Sequence, residues 1–229
     1  MNKNENESKT DRREFLGSLA SGAAAIGMAA MVSPAAVASD VFPQDDPDAW
    51  FGKIKGKHKI VFDVPRPHEI MPFAWPRVFL MSNGNTGTPE KDCSVVVVLR
   101  HDGIPYAFED RIWEKYKFGE VFKADDPATK APSLRNPFAK PKPDEYKAPG
   151  LGTVLIGINE LQASGVMFCV CDTAMTVYSS ALAQGMNADA AEIKKDWMSG
   201  LLPGIHVVPN GVWALSRAQE HGCTYCFTG

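Results

Sequence analysis

Short apolar runs alternate with amphipathic stretches along most of this chain. Five apolar runs are predicted to be strands, at residues 58–64, 94–99, 166–171, 205–208 and 223–228. The second run, SVVVVL, is β-branched and shows no alternation of polar residues. Such a run is typical of a strand that is buried on both faces, as in a parallel sheet covered by helices.

Helical spacing fills the intervals between these runs. Helices are predicted at 73–81 (followed by the turn-rich loop SNGNTGTPE), 105–118, 150–164 (stopped by Gly165), 172–184, 189–198 and 210–221. The repeated order of strand and helix predicts an α/β domain with an open, mostly parallel sheet.

Two stretches do not fit this repeat. Residues 121–149 are dense in Pro and Lys without periodicity, which predicts an inserted surface loop or arm with no secondary structure of its own. Residues 39–57 are polar and interrupted by prolines, which predicts a linker. The folded domain is therefore expected over 58–229.

The N-terminus resembles a twin-arginine (Tat) export signal. Arg12-Arg13-Glu14-Phe15-Leu16 carries the arginine pair and the Phe-Leu, residues 17–32 are uncharged, and Ala36-Val37-Ala38 offers a cleavage site. A membrane-anchoring helix is the alternative, but the stretch is short and rich in Gly and Ala. The resemblance implies a signal at 1–38 that engages the Tat translocase. After cleavage near Ala38, a periplasmic chain without a stable membrane span is expected.

The net charge argues against a nucleic-acid partner, and the cysteine count limits the disulfides that the chain can form. The formal net charge is -3 and there is no Lys/Arg cluster, so we expect no nucleic-acid partner. Five cysteines are too few for a disulfide-built scaffold, and the odd number leaves at least one thiol free, metal-bound or paired between chains.

Candidate binding residues follow the predicted strands, because ligands of open α/β sheets bind at the carboxyl ends of the strands. The second, third and fourth strands should bring their loops to one edge of the sheet. The candidates in those loops are His101, Asp102, Cys171, Asp172, Thr173 and Asn210.

Cys171 is the candidate catalytic residue. It ends the third strand where a helix begins, and a helix N-terminus lowers the pKa of a thiol. The Asp172 carboxylate opposes this effect, and His101 or Arg100 could offset it. A reactive Cys171 has to be exposed and ionisable, and the alternative is a buried, inert thiol. Cys169 lies two residues earlier, so both side chains are expected on one face of the strand.

Cys223 and Cys226 have the C-x-x-C spacing. They follow a helix rather than opening one, unlike the redox-active pairs of thioredoxin-type proteins. The spacing leaves open a disulfide, a pair of metal ligands, or ordinary packing. No resident cofactor or metal is predicted.

The segments GVMFCVCDTAM and LLPGIHVVPNGVWALSRAQEHGCTY together resemble the DsrE/DsrF-like family. That family has a short strand ending in Cys, then a Leu-Leu-Pro-Gly turn, a Val-Val-Pro-x-Gly-Val segment and a helix ending in Gln-Glu-x-Gly. The resemblance covers roughly residues 58–227 and is concentrated in the last sixty or so (a motif-level comparison).

The resemblance implies a five-stranded, flavodoxin-like, three-layer domain that forms homo-oligomers. It also implies sulfur relay, in which Cys171 accepts a persulfide sulfur from a protein or small thiol and passes it on. Many relatives have Cys-Gly-Asn-Thr where this chain has Cys171-Asp172-Thr173-Ala174. The prediction is therefore a persulfide carrier or sulfurtransferase. The alternatives are a non-catalytic binding or assembly module, and a metal or cofactor site built from Cys171, His101 and the C-terminal cysteines.

Overall fold

A computed structural model describes residues 48–229, so the predicted signal at 1–38 and the first part of the predicted linker lie outside the described residues. Its strands are β1 (His58–Val64), β2 (Cys93–Leu99), β3 (Lys147–Ala148), β4 (Gly152–Thr153), β5 (Met167–Cys171), β6 (Ile205–Val208) and β7 (Thr224–Phe227). Five of them form one parallel sheet in the order β6-β5-β2-β1-β7. The hairpin β3-β4 is antiparallel.

Seven α-helices accompany the strands in the described part of the chain: α1 (Met71–Asn85), α2 (Asp110–Tyr116), α3 (Phe118–Val121), α4 (Ile158–Ala163), α5 (Asp172–Met186), α6 (Ala190–Ser199) and α7 (Gly211–Glu220). Short 3-10 helices lie at Ala49–Lys53, Glu90–Asp92 and His101–Ala107. The architecture is a flavodoxin-like α/β fold of three layers, as predicted.

Helices cover the sheet on both faces. The smaller core packs α7 and Phe51 against one face of the sheet, including Val96 and Cys169. The larger core packs the other helices against the opposite face, around residues such as Phe168 and Trp197. All seven residues of β2 are buried, which confirms the interpretation of SVVVVL as a strand covered on both faces.

The boundary of the folded domain at residue 58 was predicted too late. Ala49–Lys53 forms a 3-10 helix that covers the α7 face of the sheet. The Phe51 side chain is fully buried there, Ile54 is nearly so, and the Trp50 ring stacks on His206 at 5.0 Å. Residues 48–57 therefore belong to the fold rather than to a linker.

The helix predicted at 105–118 is divided into three pieces. Between the 3-10 helix His101–Ala107 and α2, the backbone extends and pairs with the loop after α6, where Glu109 N–H donates to the Gly200 carbonyl over 2.9 Å. Lys117 then adopts a left-handed conformation (φ 51°) that separates α2 from α3. Long-range backbone pairing overrides the local helical pattern here.

Residues 121–149 contain almost no regular structure, as predicted, but they are not a protruding arm. The Phe138 ring is fully buried and stacks on Phe73 at 4.4 Å. Asn136 Nδ2 donates to the Tyr106 and Phe108 carbonyls over 2.9 and 2.8 Å. The insertion therefore covers part of the larger core.

The helix predicted at 150–164 begins only at Ile158. Gly150 and Gly152 have positive φ and form the β3-β4 turn, which leaves Leu151 and Leu155 exposed instead of on a helical face. The stop at Gly165 is confirmed by its φ of 87°. Conversely, α1 extends into SNGN and α5 continues past Gly185 to Met186.

Candidate functional site

The candidate site lies at the carboxyl ends of β5 and β6, where the chain changes faces. The chain leaves β5 into α5, which packs on the larger core, and leaves β6 into α7, which packs on the opposite face. Adjacent parallel strands with this connectivity flank a topological switch point, which is where open α/β sheets bind ligands. Cys171 is the last residue of β5 and therefore lies between two diverging helices.

The Cys171 side chain caps α5. Its sulfur accepts a hydrogen bond from the Ala174 N–H over 3.3 Å, and the Thr173 N–H also interacts with it. The Gly211 N–H, at the first residue of α7, also favours the thiolate of Cys171 and lowers its pKa. One sulfur atom thus caps the N-terminus of α5 and interacts electrostatically with the first N–H of α7.

Burial dominates the acidity of this thiol. Cys171 is 4% exposed, and burial raises its pKa above the ordinary value. The N–H groups of Ala174, Gly211 and Thr173 oppose that shift, and the Asp172 charge adds to it. The thiol is therefore free and in a polar position, but it is not exposed as the sequence analysis required.

Cys169 and Cys171 lie two residues apart on β5 and differ in their apolar contacts. Cys169 is fully buried in the core under α7, whereas Cys171 packs with the larger core. Cys171 is also the N-cap of α5. Burial raises the pKa of the Cys169 thiol strongly, so Cys169 is an inert packing residue.

Close packing fixes the N-terminus of α7 beside Cys171. A Cβ atom on Gly211 would lie 2.4 Å from the Arg100 Cβ, so only glycine allows this approach. Asn210 Oδ1 caps α7 by accepting from the Val212 N–H over 2.8 Å. Thr173 donates its N–H and its hydroxyl to the Pro209 carbonyl over 3.2 and 2.8 Å, which ties the start of α5 to the end of β6.

Asp172 is neutralised by a residue that sequence reasoning missed. Its carboxylate is 2% exposed, and its two oxygens lie 2.7 and 2.9 Å from Nζ of Lys194 on α6. The same ammonium donates to the Thr176 hydroxyl over 2.9 Å. In place of the predicted His101 or Arg100, a lysine from a different helix pairs with the Asp172 carboxylate.

Arg100 is held behind the site by Asp63. The guanidinium donates Nε and Nη2 to the two oxygens of this buried carboxylate over 2.7 and 2.9 Å, and Tyr225 donates its hydroxyl to the same carboxylate over 2.8 Å. The Arg100 charge interacts favourably with a Cys171 thiolate. The pair therefore places a cation near the sulfur without adding net charge.

His101 and Asp102 form a separate cluster with Tyr178. His101 Nδ1 lies 3.3 Å from Asp102 Oδ2, and the Tyr178 hydroxyl of α5 donates to Asp102 Oδ1. The hydrogen bond to Asp102 raises the pKa of His101. Burial raises the pKa of Asp102, but His101 and Tyr178 outweigh it and the net direction is down. The cluster lies at the same edge of the sheet as Cys171. Its Tyr178 follows Cys171 by nearly two turns of α5.

Cys223 and Cys226 both carry free thiols and pack on opposite faces of the sheet, so the bridge that their spacing left open is not formed. Cys93 is also a free thiol, at the start of β2. Within residues 48–229, no group of three or more His, Cys, Asp or Glu side chains is arranged to hold a metal ion. Over the same residues, no helix is long and apolar enough to cross a membrane.

Similarity to known proteins is found among solved structures. No protein-family model matches the chain, and no curated protein matches it. A solved structure of a protein of unknown function from Methanobacterium thermoautotrophicum is similar, with 16% sequence identity and a TM-score of 0.39. The similarity covers 75% of this chain and 99% of that one.

Proposed function

We propose that this protein carries sulfane sulfur as a persulfide on Cys171. The observation that carries the proposal is the placement of the Cys171 sulfur, which accepts the Ala174 N–H at the N-terminus of α5 over 3.3 Å and is also favoured as an anion by the Gly211 N–H at the start of α7. Backbone N–H groups and aligned helix dipoles stabilise an anion. A persulfide anion on Cys171 would extend the same negative charge by one sulfur atom.

The transfer needs no external oxidant or reductant. The Cys171 thiolate attacks the outer sulfur of a donor persulfide R–S–S⁻, the donor S–S bond breaks, and R–S⁻ leaves. A new S–S bond then holds the transferred sulfur on Cys171. An acceptor thiolate attacks that terminal sulfur in the second half-reaction and restores the Cys171 thiolate.

The surrounding charges support this chemistry. The buried carboxylates of Asp63 and Asp172 are each paired with a cation, Arg100 and Lys194 respectively. Neither carboxylate therefore opposes an anion on Cys171 with a full uncompensated charge. Burial of the sulfur favours a small donor, such as a low-molecular-weight persulfide or inorganic polysulfide, over a sulfur carried on a large protein surface.

Mass spectrometry tests the proposal. The protein is incubated with glutathione persulfide, and each cysteine-containing peptide is examined for the mass of one added sulfur atom. Sulfur is expected on Cys171, and Cys171→Ser should take up none at that position. Cys226→Ser is the matched control, because Cys226 is a half-buried thiol away from the helix N-termini and should leave uptake unchanged. Equal uptake by Cys171→Ser and wild type would contradict the proposal.

Assembly through the edge strand β7 is a second candidate function. Tyr225 and Phe227 are about half exposed on this strand, which pairs with β1 on one side. Exposed edge strands with apolar side chains are sites of strand pairing between chains. Size-exclusion chromatography with light scattering tests it. A homo-oligomer that dissociates in Phe227→Asp, and persists in Cys171→Ser, would support assembly independent of the thiol.

We also propose that residues 1–38 direct export through the Tat translocase. The arginine pair Arg12-Arg13 and the uncharged stretch that follows support this. Replacement of both arginines by lysine should retain the protein in the cytoplasm in cell fractionation. Export of that variant to the periplasm would contradict the proposal.

A further inference from the structure

We infer that Lys194 is a positioning residue for the Cys171 thiol, acting through Asp172. The inference deepens the proposed function, on which it rests only in taking the thiolate of Cys171 as the reactive form. Asp172 directly follows Cys171 and its charge opposes ionisation of the thiol. A device that neutralises this carboxylate therefore controls how readily the sulfur becomes an anion.

The contact between Lys194 and Asp172 is close and largely shielded from solvent. The ammonium lies 2.7 and 2.9 Å from the two carboxylate oxygens, the Asp172 side chain is 2% exposed, and that of Lys194 is 20% exposed. The third partner of the ammonium is the Thr176 hydroxyl. Solvent screens such a pair little, so loss of the lysine would leave a buried, unpaired carboxylate beside the sulfur.

Few other charges face the thiol from the elements that surround it. Arg100, at the end of β2, is paired with Asp63 of β1, and Cys169 on β5 is a thiol that burial keeps protonated. The α7 side contributes the uncharged Gly211 N–H. Asp172 is thus the carboxylate that directly follows the thiol in the chain, and Lys194 is the cation that pairs with it.

The test is the pH profile of Cys171 alkylation by iodoacetamide in the full protein, resolved by tandem mass spectrometry. Lys194→Met should move the profile to higher pH and slow alkylation at neutral pH by roughly threefold to tenfold, the effect of an uncompensated neighbouring carboxylate. Asp172→Asn should move it in the opposite direction. The double variant should lie close to wild type, and Lys194→Arg should restore the wild-type profile.

The two single variants should shift the pH profile of Cys171 alkylation in opposite directions, which distinguishes a role in thiol ionisation from a purely structural role. If the pair only stabilised the fold, both single variants would speed alkylation of Cys171 together with that of Cys169, whose fully buried thiol reports opening of the core. Lys195→Met is the matched control, since Lys195 is the next residue on α6 and is mostly exposed with a 3.7 Å contact to Glu192. Should Lys194→Met not fold, Lys194→Gln, which keeps a polar head group without the charge, carries the test with the same expected shift to higher pH.

The profile and sulfur loading are independent readouts. A wild-type protein that takes up sulfur, with profiles that do not differ between Lys194→Met and wild type, overturns the role of Lys194 and leaves the proposed function standing. Profiles that shift as expected, in a protein that takes up no sulfur, support the role of Lys194 and contradict the proposed function.

Discussion

At the scale of single residues, the environment of Cys171 is built mainly from backbone groups. The sulfur accepts from the Ala174 N–H, the Gly211 and Thr173 N–H groups also favour its anion, and the side chains around it serve to fix those groups or to balance charge. Sequence reasoning identified Cys171, Asp172, Thr173 and Asn210, because each lies at a strand end or a helix start. It missed Lys194, since a contact between residues 22 positions apart on two helices leaves no local signal.

Gly211 offers the sharpest test at this scale. The added methyl group of Gly211→Ala would clash with the Arg100 Cβ, and the N-terminus of α7 would have to move away from Cys171. We expect a loss of about 1–3 kcal/mol in the free energy of unfolding, the usual cost of overpacking, and slower sulfur uptake by Cys171.

Chemical denaturation and mass spectrometry measure the two effects. Gly84→Ala is the control, because the added methyl group would meet no neighbouring atom on α1. A Gly211→Ala variant with wild-type stability and uptake would show that the close approach is unimportant.

At the scale of elements, the strands were predictable and several connections were not. The five strands of the main sheet were found within a residue or two because their apolar runs are short and flanked by turn residues. The helix predicted at 105–118 failed because its backbone pairs with residues 200–202, a partner that local periodicity cannot reveal. The same holds for Leu151 and Leu155, which two positive-φ glycines place on a hairpin.

Removal of the Asn210 N-cap, compared with removal of another N-cap, distinguishes loss of helix stability from loss of reactivity at Cys171. Asn210→Ala removes the N-cap of α7 and should cost about 1 kcal/mol of stability, and the frayed N-terminus should weaken the Gly211 interaction with Cys171 and slow sulfur uptake. Asp189→Ala removes the N-cap of α6, whose Oδ1 accepts from Ala191 and Glu192. We expect both variants to lose similar stability. We expect slower sulfur uptake only in Asn210→Ala. Equal uptake in the two variants would argue against a role for α7.

Asp196 joins α2 to α6 and gives a pH-dependent prediction. Burial alone raises its pKa, but hydrogen bonds from Lys115, Arg111 and Tyr116 outweigh burial and lower the pKa to about 2. The pKa of Asp196 is lower in the folded state than in the unfolded state. The Asp196 carboxylate therefore adds to the free energy of unfolding above the ordinary carboxyl pKa, and this stabilisation is lost as the pH falls towards 2.

Asp196→Asn should therefore be less stable than wild type by about 1 kcal/mol at neutral pH, the upper range for partly exposed ion pairs, and the difference should shrink in acid. Denaturation at neutral and at acid pH checks this. Glu192→Gln is the control on the same helix, since Glu192 is mostly exposed. A difference that does not depend on pH would contradict the ion-pair explanation.

At the scale of the whole molecule, the parallel α/β class was readable from the sequence, whereas the extent of the fold was not. Residues 48–57 appeared polar enough for a linker, yet Phe51 is one of the largest fully buried side chains in the described part of the chain. Two adjacent aromatic residues, Trp50 and Phe51, give no periodic signal in a polar stretch. The insertion at 121–149 was misjudged for the same reason, because Phe138 and Asn136 are single anchors in an irregular segment.

Phe51→Ala tests where the fold begins. Loss of this buried ring should lower the free energy of unfolding by about 3–5 kcal/mol, as for other large-to-small core substitutions. Denaturant unfolding measures it, with Leu134→Ala as a control because Leu134 is 69% exposed. A change below about 1 kcal/mol, the size expected at surface positions, would mean that the segment around Phe51 is dispensable.

The central claim is that the reactive species is a buried Cys171 thiolate held between two helix N-termini. The rate of sulfur uptake at each cysteine, measured as a function of pH, tests it most directly. Because burial raises the pKa of Cys171, its rate should still be rising above about pH 8.5, the ordinary value for a cysteine. Sulfur should also be confined to Cys171. Uptake that levels off below that pH, or that is shared equally with Cys226, would contradict the account.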